Sequence, residues 1–232
     1  MTLDKLADDD DPFVRDTAAR VIDGEQRVQE RLRKLFHFVR DDVVFGFPQA
    51  GDLVRASDTI AMGMGQCNTK ATLFLALCRC VRIPARIHFS LIRKEIQRGL
   101  FTGFGYAFMP TFLSHSWLEV NVDGSWHAID SYINDVPFYR AARKELETRG
   151  WDTGFSLSCP GGNCSCRLDL DKAVFVQMAA VVADHGTWKE PGDYYGTDDY
   201  HNRPSVVKSF LYRAMIGRVN RRIEKMRQAY HP

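Results

Sequence analysis

Apolar residues recur at helical spacing in two segments near the start of the chain. Residues 12–22 predict a short helix with Pro12 in its first turn, and residues 24–42 predict a longer one. In the longer segment, charged residues fill the positions between the apolar ones, which is typical of a helix with one buried face. Its apolar positions are Val28, Leu32, Leu35, Phe36 and Val39.

A third apolar segment follows a glycine-rich turn at residues 62–66. Residues 68–81 predict a helix that starts at Cys67, and Ile83-Pro84 ends it. Residues 85–92 are rich in apolar and β-branched side chains and predict a strand.

Two segments of alternating polarity flank Asp123-Gly124, a dipeptide that favours a two-residue β-hairpin turn. Such a turn places Val122 opposite Ser125 and Trp117 opposite Asp130. The register therefore predicts which side chains share a face of the sheet.

His115 and Asp130 fall on the same face of this hairpin, as diagonal neighbours about 7–8 Å apart. His127 points to the opposite face, although it is only three residues from Asp130. A slip of one residue would exchange the two histidines, so the assignment depends on the turn at Asp123-Gly124.

The rest of the chain alternates between irregular and helical patterns. Residues 97–113 lack periodicity and are long enough for a functional loop. Residues 138–149 predict a helix, 154–166 are irregular, and 173–182 form an apolar run. A turn-rich stretch at 189–204 precedes a terminal amphipathic helix.

The composition is that of an ordinary globular protein, with 232 residues, a formal net charge of +2 and 45% hydrophobic residues. The basic stretch 213–227 has apolar residues at helical spacing, so we interpret it as a helix with a solvated basic face and expect no nucleic-acid or membrane partner. The N-terminus lacks the apolar core of a signal peptide. Six cysteines in such a chain predict reduced thiols and a cytoplasmic location.

The position of Cys67 suggests a nucleophile. A thiol at a helix N-terminus lies near unsatisfied N–H groups and the positive end of the helix dipole, and both favour the thiolate. The N–H of Cys67 itself can donate to an oxyanion. Taken alone, a cysteine at a helix start is more often a small buried side chain. His115 as base and Asp130 as its orienting group favour the catalytic interpretation. Trp117 and Trp126 share their face and either exclude water from the site or serve as core aromatics.

A second cysteine cluster comprises Cys159, Cys164 and Cys166. Three thiolates with His185 or His201 as a fourth ligand would suit zinc, but the spacing is not that of a zinc knuckle. We expect no bound metal and no cofactor, and a reduced or redox-active loop.

Several short motifs, in this order, resemble those of the transglutaminase-like superfamily. They are Gly65-Gln66-Cys67, Ile83-Pro84-Ala85-Arg86, His115-Ser116-Trp117 and Trp126-His127-Ala128-Ile129-Asp130. The resemblance covers about residues 25–135. It implies an α+β, papain-related fold, with the nucleophile at the start of a central helix that packs on an antiparallel sheet. It also implies that Cys67 is the nucleophile, His115 the base and Asp130 the group that orients the base. Residues 1–135 would then form the N-terminal helices and catalytic core, and 136–232 an extension packed on it within one compact domain.

Two positions depart from the family pattern. Arg82 stands where the family often has glycine before Ile-Pro, and residues 43–47 lack the Tyr or Trp that helps to hold the oxyanion in many members. Gln66 and Gln49 are the candidates for that second donor.

The resemblance implies a cysteine-dependent hydrolase or acyltransferase that acts on an amide bond of a peptide or small molecule through a thioester. A peptidase or amidase is favoured because nothing in the sequence indicates calcium sites or a secreted context. The alternatives are amide-forming acyl transfer of the transglutaminase type and an inactive binding module.

Overall fold

The computed structural model describes residues 5–172 and 175–230. Residues 173 and 174, which begin the predicted apolar run, lie outside the described residues, as do residues 1–4 of the predicted leaderless N-terminus.

Eight α-helices are described, and the predicted helices are among them. They are α1 (Pro12–Ile22), α2 (Val28–His37), α3 (Ala56–Met62), α4 (Cys67–Cys80), α5 (Phe104–Ala107), α6 (Val136–Arg149), α7 (Pro191–Tyr195) and α8 (Val206–Gln228). A turn of π-helix, Phe38–Asp42, extends α2. Helix α1 begins where its sequence indicates, because the Asp11 side chain accepts a hydrogen bond from the N–H of Phe13 and Pro12 follows it.

The strands form one four-stranded sheet and two short pairs. They are β1 (Val44–Phe45), β2 (Met64–Gly65), β3 (Ala85–Arg93), β4 (Phe112–Val122), β5 (Ser125–Ile129), β6 (Thr153–Gly154), β7 (Leu157–Ser158) and β8 (Val181–Trp188). The main sheet is antiparallel with the order β5-β4-β3-β8.

The predicted hairpin register is confirmed. Val122 pairs with Ser125, and Val120 pairs with His127. Both turn residues have positive φ, 51° at Asp123 and 86° at Gly124, as the favoured two-residue turn requires.

Strand β8 was not predicted from the sequence. It lies at the edge of the sheet and pairs with β3, with irregular register near His88 and Leu91. Its Asp, His and Gly residues have low strand propensity, and only the partner strand supplies the order. The chain after residue 135 therefore contributes a strand to the sheet that carries His115, and Ile216 and Val219 of α8 are buried in the same core cluster as α4.

Helix α4 lies at the centre of the molecule. Every residue from Asn68 to Cys78 is buried, and the helix packs against α1, α2, α3, β3 and β4. The protein interior around α4 is packed as densely as an organic crystal, so the N-terminus of this enclosed helix is held in one position. The expected α+β architecture, with the central helix on an antiparallel sheet, is confirmed.

The prediction of six reduced cysteines is wrong for one pair. Cys159 and Cys164 form a disulfide, with their Cα atoms 4.9 Å apart. A tight turn at Pro160–Gly162 brings the two ends of the loop together. Cys67, Cys78, Cys80 and Cys166 are free thiols. None of the described helices combines the length and the apolar character needed to cross a bilayer.

Candidate active site

The turn before α4 sets the position of Cys67. Gln66 is the N-cap: its side chain accepts from the N–H of Asn68, and Thr69 Oγ1 accepts from the N–H of Gln66 in return. Gly65 is required for close packing, since a Cβ there would lie 2.7 Å from Thr69 Oγ1 and 2.8 Å from Lys70 Cγ. The reciprocal cap and the glycine together fix where the helix starts.

Cys67 is the first residue of α4 and is partly exposed. Its backbone N–H makes no hydrogen bond with the described part of the chain, as expected at the first position of a helix. The thiol lies 2.9 Å from Gln66 Oε1 and accepts a hydrogen bond from the N–H of Ser116. A thiol beside a free backbone N–H is the arrangement that an acyl-transfer nucleophile needs.

The first turn of α4 lies against an unpaired edge of β4. Strand β5 pairs only with Leu118–Val122, so the N–H of Ser116 and the carbonyl of Ser114 are left to other partners. The first donates to the Cys67 thiol, and the second accepts from Asn68 Nδ2 at 3.1 Å. Helix α4 is thus attached to β4 on both sides of His115.

His115 is fully buried, and neither of its ring nitrogens has a hydrogen-bond partner. Its ring centroid lies 6.0 Å from that of Trp117. Burial lowers the pKa of the imidazole to about 3, which favours the neutral ring. A buried imidazole without partners is costly, and such groups are a frequent feature of functional sites.

Asp130 directly follows β5 and is fully buried, diagonal to His115 in the register. Its carboxylate accepts hydrogen bonds from the backbone N–H groups of Val176, Gln177 and Met178, at 2.8, 2.7 and 3.0 Å. Burial raises its pKa to about 6 against the opposing effect of these three donors. In this arrangement Asp130 anchors residues 176–178, and it makes no hydrogen bond to His115.

The charge state of Cys67 differs from the expectation. Burial raises the pKa of the thiol, and the nearby Asp52 carboxylate raises it further; the Ser116 and Asn68 N–H groups oppose both effects only in part. Desolvation and a like charge therefore outweigh the helix terminus. These pKa shifts favour a neutral thiol and a neutral imidazole in the resting pair.

Asp52, which no sequence pattern indicated, lies in the buried layer behind Gln66. Its carboxylate accepts from Gln66 Nε2 at 2.6 Å, Asn202 Nδ2 at 2.8 Å and Tyr200 Oη at 3.0 Å. Asn202 also hydrogen-bonds both backbone groups of Ser114, at 3.0 and 2.9 Å. No local pattern marks these residues, since they come from segments about 150 positions apart.

The four accessory candidates lie in different environments. The Gln66 amide caps α4 and donates to Asp52, and Gln49 is an exposed turn residue. Trp117 is buried and stacks on His88 with centroids 4.1 Å apart, whereas Trp126 is 45% exposed beneath Arg86. Trp117 is therefore buried close to His115, where its water-excluding role stays a prediction, and Trp126 packs at the outer end of the hairpin. The oxyanion role of either glutamine stays a prediction.

The candidate zinc ligands are not brought together in the described part of the chain. Two of the three clustered thiols, Cys159 and Cys164, are consumed in the disulfide, and His185 instead hydrogen-bonds Tyr194 Oη at 3.0 Å. Within residues 5–172 and 175–230, no three His, Cys, Asp or Glu side chains are grouped so as to hold a metal ion.

Comparison with known proteins identifies the family. The family model described as "Transglutaminase-like superfamily" matches residues 15–131, just over half of the chain, so the chain belongs to that superfamily. No curated protein matches it.

Two solved structures align with part of the chain at low similarity. One is a proposed cysteine protease from Cytophaga hutchinsonii, with 17% identity, a TM-score of 0.45, and alignment over 78% of this chain and 43% of the other. The second is a proposed protease from Parabacteroides distasonis, with 15% identity, a TM-score of 0.36, and alignment over 54% and 25% of the two chains. The chain therefore spans less than half the length of either.

Proposed function

We propose that this protein is a cysteine-dependent amide hydrolase or acyltransferase, with peptide or small-molecule amide cleavage as the favoured reaction. Cys67 is the nucleophile, and His115 is the general base and acid. The observation that carries the proposal is the attachment of the Cys67 helix terminus to β4 on both sides of a buried, unpartnered histidine.

The chemistry starts from the neutral pair. His115 takes the Sγ proton as the sulfur attacks the amide carbonyl, and the oxyanion receives a hydrogen bond from the free N–H of Cys67. Collapse of the tetrahedral intermediate breaks the C–N bond, and His115 passes its proton to the departing amine. Water, deprotonated by His115, then attacks the thioester; the acid is released and the thiol regains its proton. An amine in place of water gives amide-forming transfer.

Asp130 is assigned to the orienter role through its place in the register. Since its oxygens accept three backbone N–H groups, that role requires either a shared oxygen or a shift of residues 176–178 when substrate enters. Catalytic hydrogen bonds are often formed only in the substrate complex.

The test is an assay of a library of amides with wild type and with Cys67→Ala, each with and without an added primary amine. Release of free amine and acid by wild type alone supports hydrolysis, and incorporation of the added amine supports transfer. Equal turnover by Cys67→Ala contradicts the assignment of the nucleophile.

One observation favours an inactive binding module instead. Both oxygens of the Asp130 carboxylate already accept backbone N–H groups, and His115 has no partner to set its tautomer. This alternative predicts no turnover with any library member by a folded protein.

A further inference from the structure

A cavity of about 540 Å³ lies at the end of α4 opposite Cys67. Four arginines line it, together with one carboxylate and one thiol. They are Arg15, Arg31, Arg79, Arg82, Asp9 and Cys80. A helix of 14 residues is about 20 Å long, so this cavity is separate from the candidate active site.

Three of the four guanidinium groups have no carboxylate partner within the described residues. Arg15 donates only to the carbonyl of Asp9, and Arg31 only to the carbonyl of Val81. The side chain of Arg82 makes no hydrogen bond or ion pair there. Arg79 differs, since it pairs with Glu190 at 2.6 Å and with Asp9 of the cavity wall at 3.7 Å. With four lining arginines and one lining carboxylate, the cavity wall carries a net positive charge.

Arg82 occupies an unusual backbone conformation. Its φ is +58°, in the left-handed region that favours glycine. This is the position where the superfamily often has glycine before Ile-Pro. Strained backbone conformations cluster at functional sites, so the strain at Arg82 suggests that its side chain has a function in the cavity.

The end of α4 does not cancel this positive charge. The carbonyl of Cys78 accepts from the N–H of Ile83, that of Arg79 from the N–H of Arg82, and that of Val81 from Arg31. With these carbonyls hydrogen-bonded, little of the negative end of the helix dipole faces the cavity.

We propose that this cavity binds a compact anion with more than one phosphate group. Guanidinium groups match phosphate oxygens with paired N–H donors, and the volume exceeds that of a single phosphate. The proposal is independent of the catalytic function.

Pyrophosphate is the probe, and Cys80 is the reporter because it lines the cavity and is partly exposed. Its pKa is raised to about 11 by burial and then by Asp9, so labelling with iodoacetamide is followed at pH 9. At constant ionic strength, saturating pyrophosphate should slow labelling of Cys80 at least fivefold and leave that of Cys67 unchanged. Equal rates with and without pyrophosphate overturn the proposal.

The Arg82→Gly variant distinguishes a loss of pyrophosphate binding from a loss of folding stability. It relieves the backbone strain, so the melting temperature without anion should rise, while the Kd for pyrophosphate should increase at least tenfold. Arg140→Ala is the control, since it removes one exposed arginine from α6. If both variants weaken pyrophosphate binding equally, the attraction is non-specific. If citrate binds more tightly than pyrophosphate, the cavity does not select phosphate groups. Either result overturns the proposal.

Discussion

His115 and His127 are the residues on which the site assignment depends most. Both lie on one hairpin, yet their side chains point to opposite faces because the two-residue turn fixes the register. The sequence was sufficient to separate them, since the information lies in a local dipeptide.

His115→Ala should lower kcat by about 10²–10⁴, the range for loss of a general base and acid. His127→Ala is the matched control and should retain most of the turnover. Kinetics with an identified amide substrate, with circular dichroism to verify folding, measures both. Similar losses in two folded variants would mean that the face assignment is wrong.

Asp130→Asn should cost both activity and stability. The carboxylate accepts the three backbone N–H groups of residues 176–178, so its replacement affects the fold as well as the chemistry. An amide NH₂ would oppose at least one of these donors, which should lower the free energy of unfolding by about 1–3 kcal/mol.

Urea unfolding and amide hydrogen exchange at residues 176–178 measure this effect. Unchanged exchange with lost activity would assign Asp130 to catalysis alone, and faster exchange with normal turnover would make it a structural anchor.

At the scale of elements, the start of α4 combines predictable and unpredictable features. The glycine turn, the cap and the cysteine are contiguous, so the sequence located them together. The Asp52 cluster and the edge strand β8 were missed because they depend on contacts between distant segments. Local patterns give elements and hairpin registers, but they do not show which distant loop supplies a buried carboxylate.

Asp52→Asn should make Cys67 more reactive. It removes the negative charge that raises the pKa of the thiol, so a larger fraction of Cys67 should be thiolate at pH 7.5. Iodoacetamide labelling of Cys67 should therefore be faster in the variant than in wild type.

Two controls distinguish this effect from loosening of the fold. Fully buried Cys78 should label at its wild-type rate, and Tyr200→Phe, which keeps the charge of Asp52, should leave Cys67 nearly unchanged. Parallel acceleration of Cys78 would show that the substitution opens the core instead.

At the scale of the whole molecule, the segment after residue 135 completes the fold around the site. Arg227 of α8 donates to both carboxylate oxygens of Asp135, each at 3.0 Å, and to the carbonyl of Phe45 at 2.7 Å. Asp135 in turn caps α6. A buried pair of this kind is costly to break from either side, so the terminal helix is part of the stable unit.

The free energy of unfolding should decrease as the pH is lowered, and part of that decrease should depend on His115. Its folded pKa is lowered to about 3 from 6.5, so its contribution is present above pH 6.5 and is lost as pH falls toward 3. Asp130, whose folded pKa is raised from 3.8 to about 6, acts in the opposite sense: its contribution is present below pH 3.8 and is lost as pH rises through 6. The difference between wild type and His115→Ala isolates the histidine.

Between pH 7 and pH 4.5, wild type should lose roughly 2–3 kcal/mol more stability than His115→Ala, at about 1.4 kcal/mol per pKa unit. Urea denaturation at several pH values measures the difference. If wild type is instead stabilised relative to the variant as pH falls, the resting site holds an imidazolium, and the neutral pair is wrong.

The most direct test of the central claim is rapid-quench peptide mass spectrometry with an activated acyl ester or amide. The account predicts an acyl group on Cys67 in wild type, absent from Cys67→Ala and formed at least a hundredfold more slowly in His115→Ala, with Cys78 and Cys80 unmodified in all three. An acyl group on another residue, or its formation at the wild-type rate without His115, would contradict the claim that these two residues form the catalytic pair.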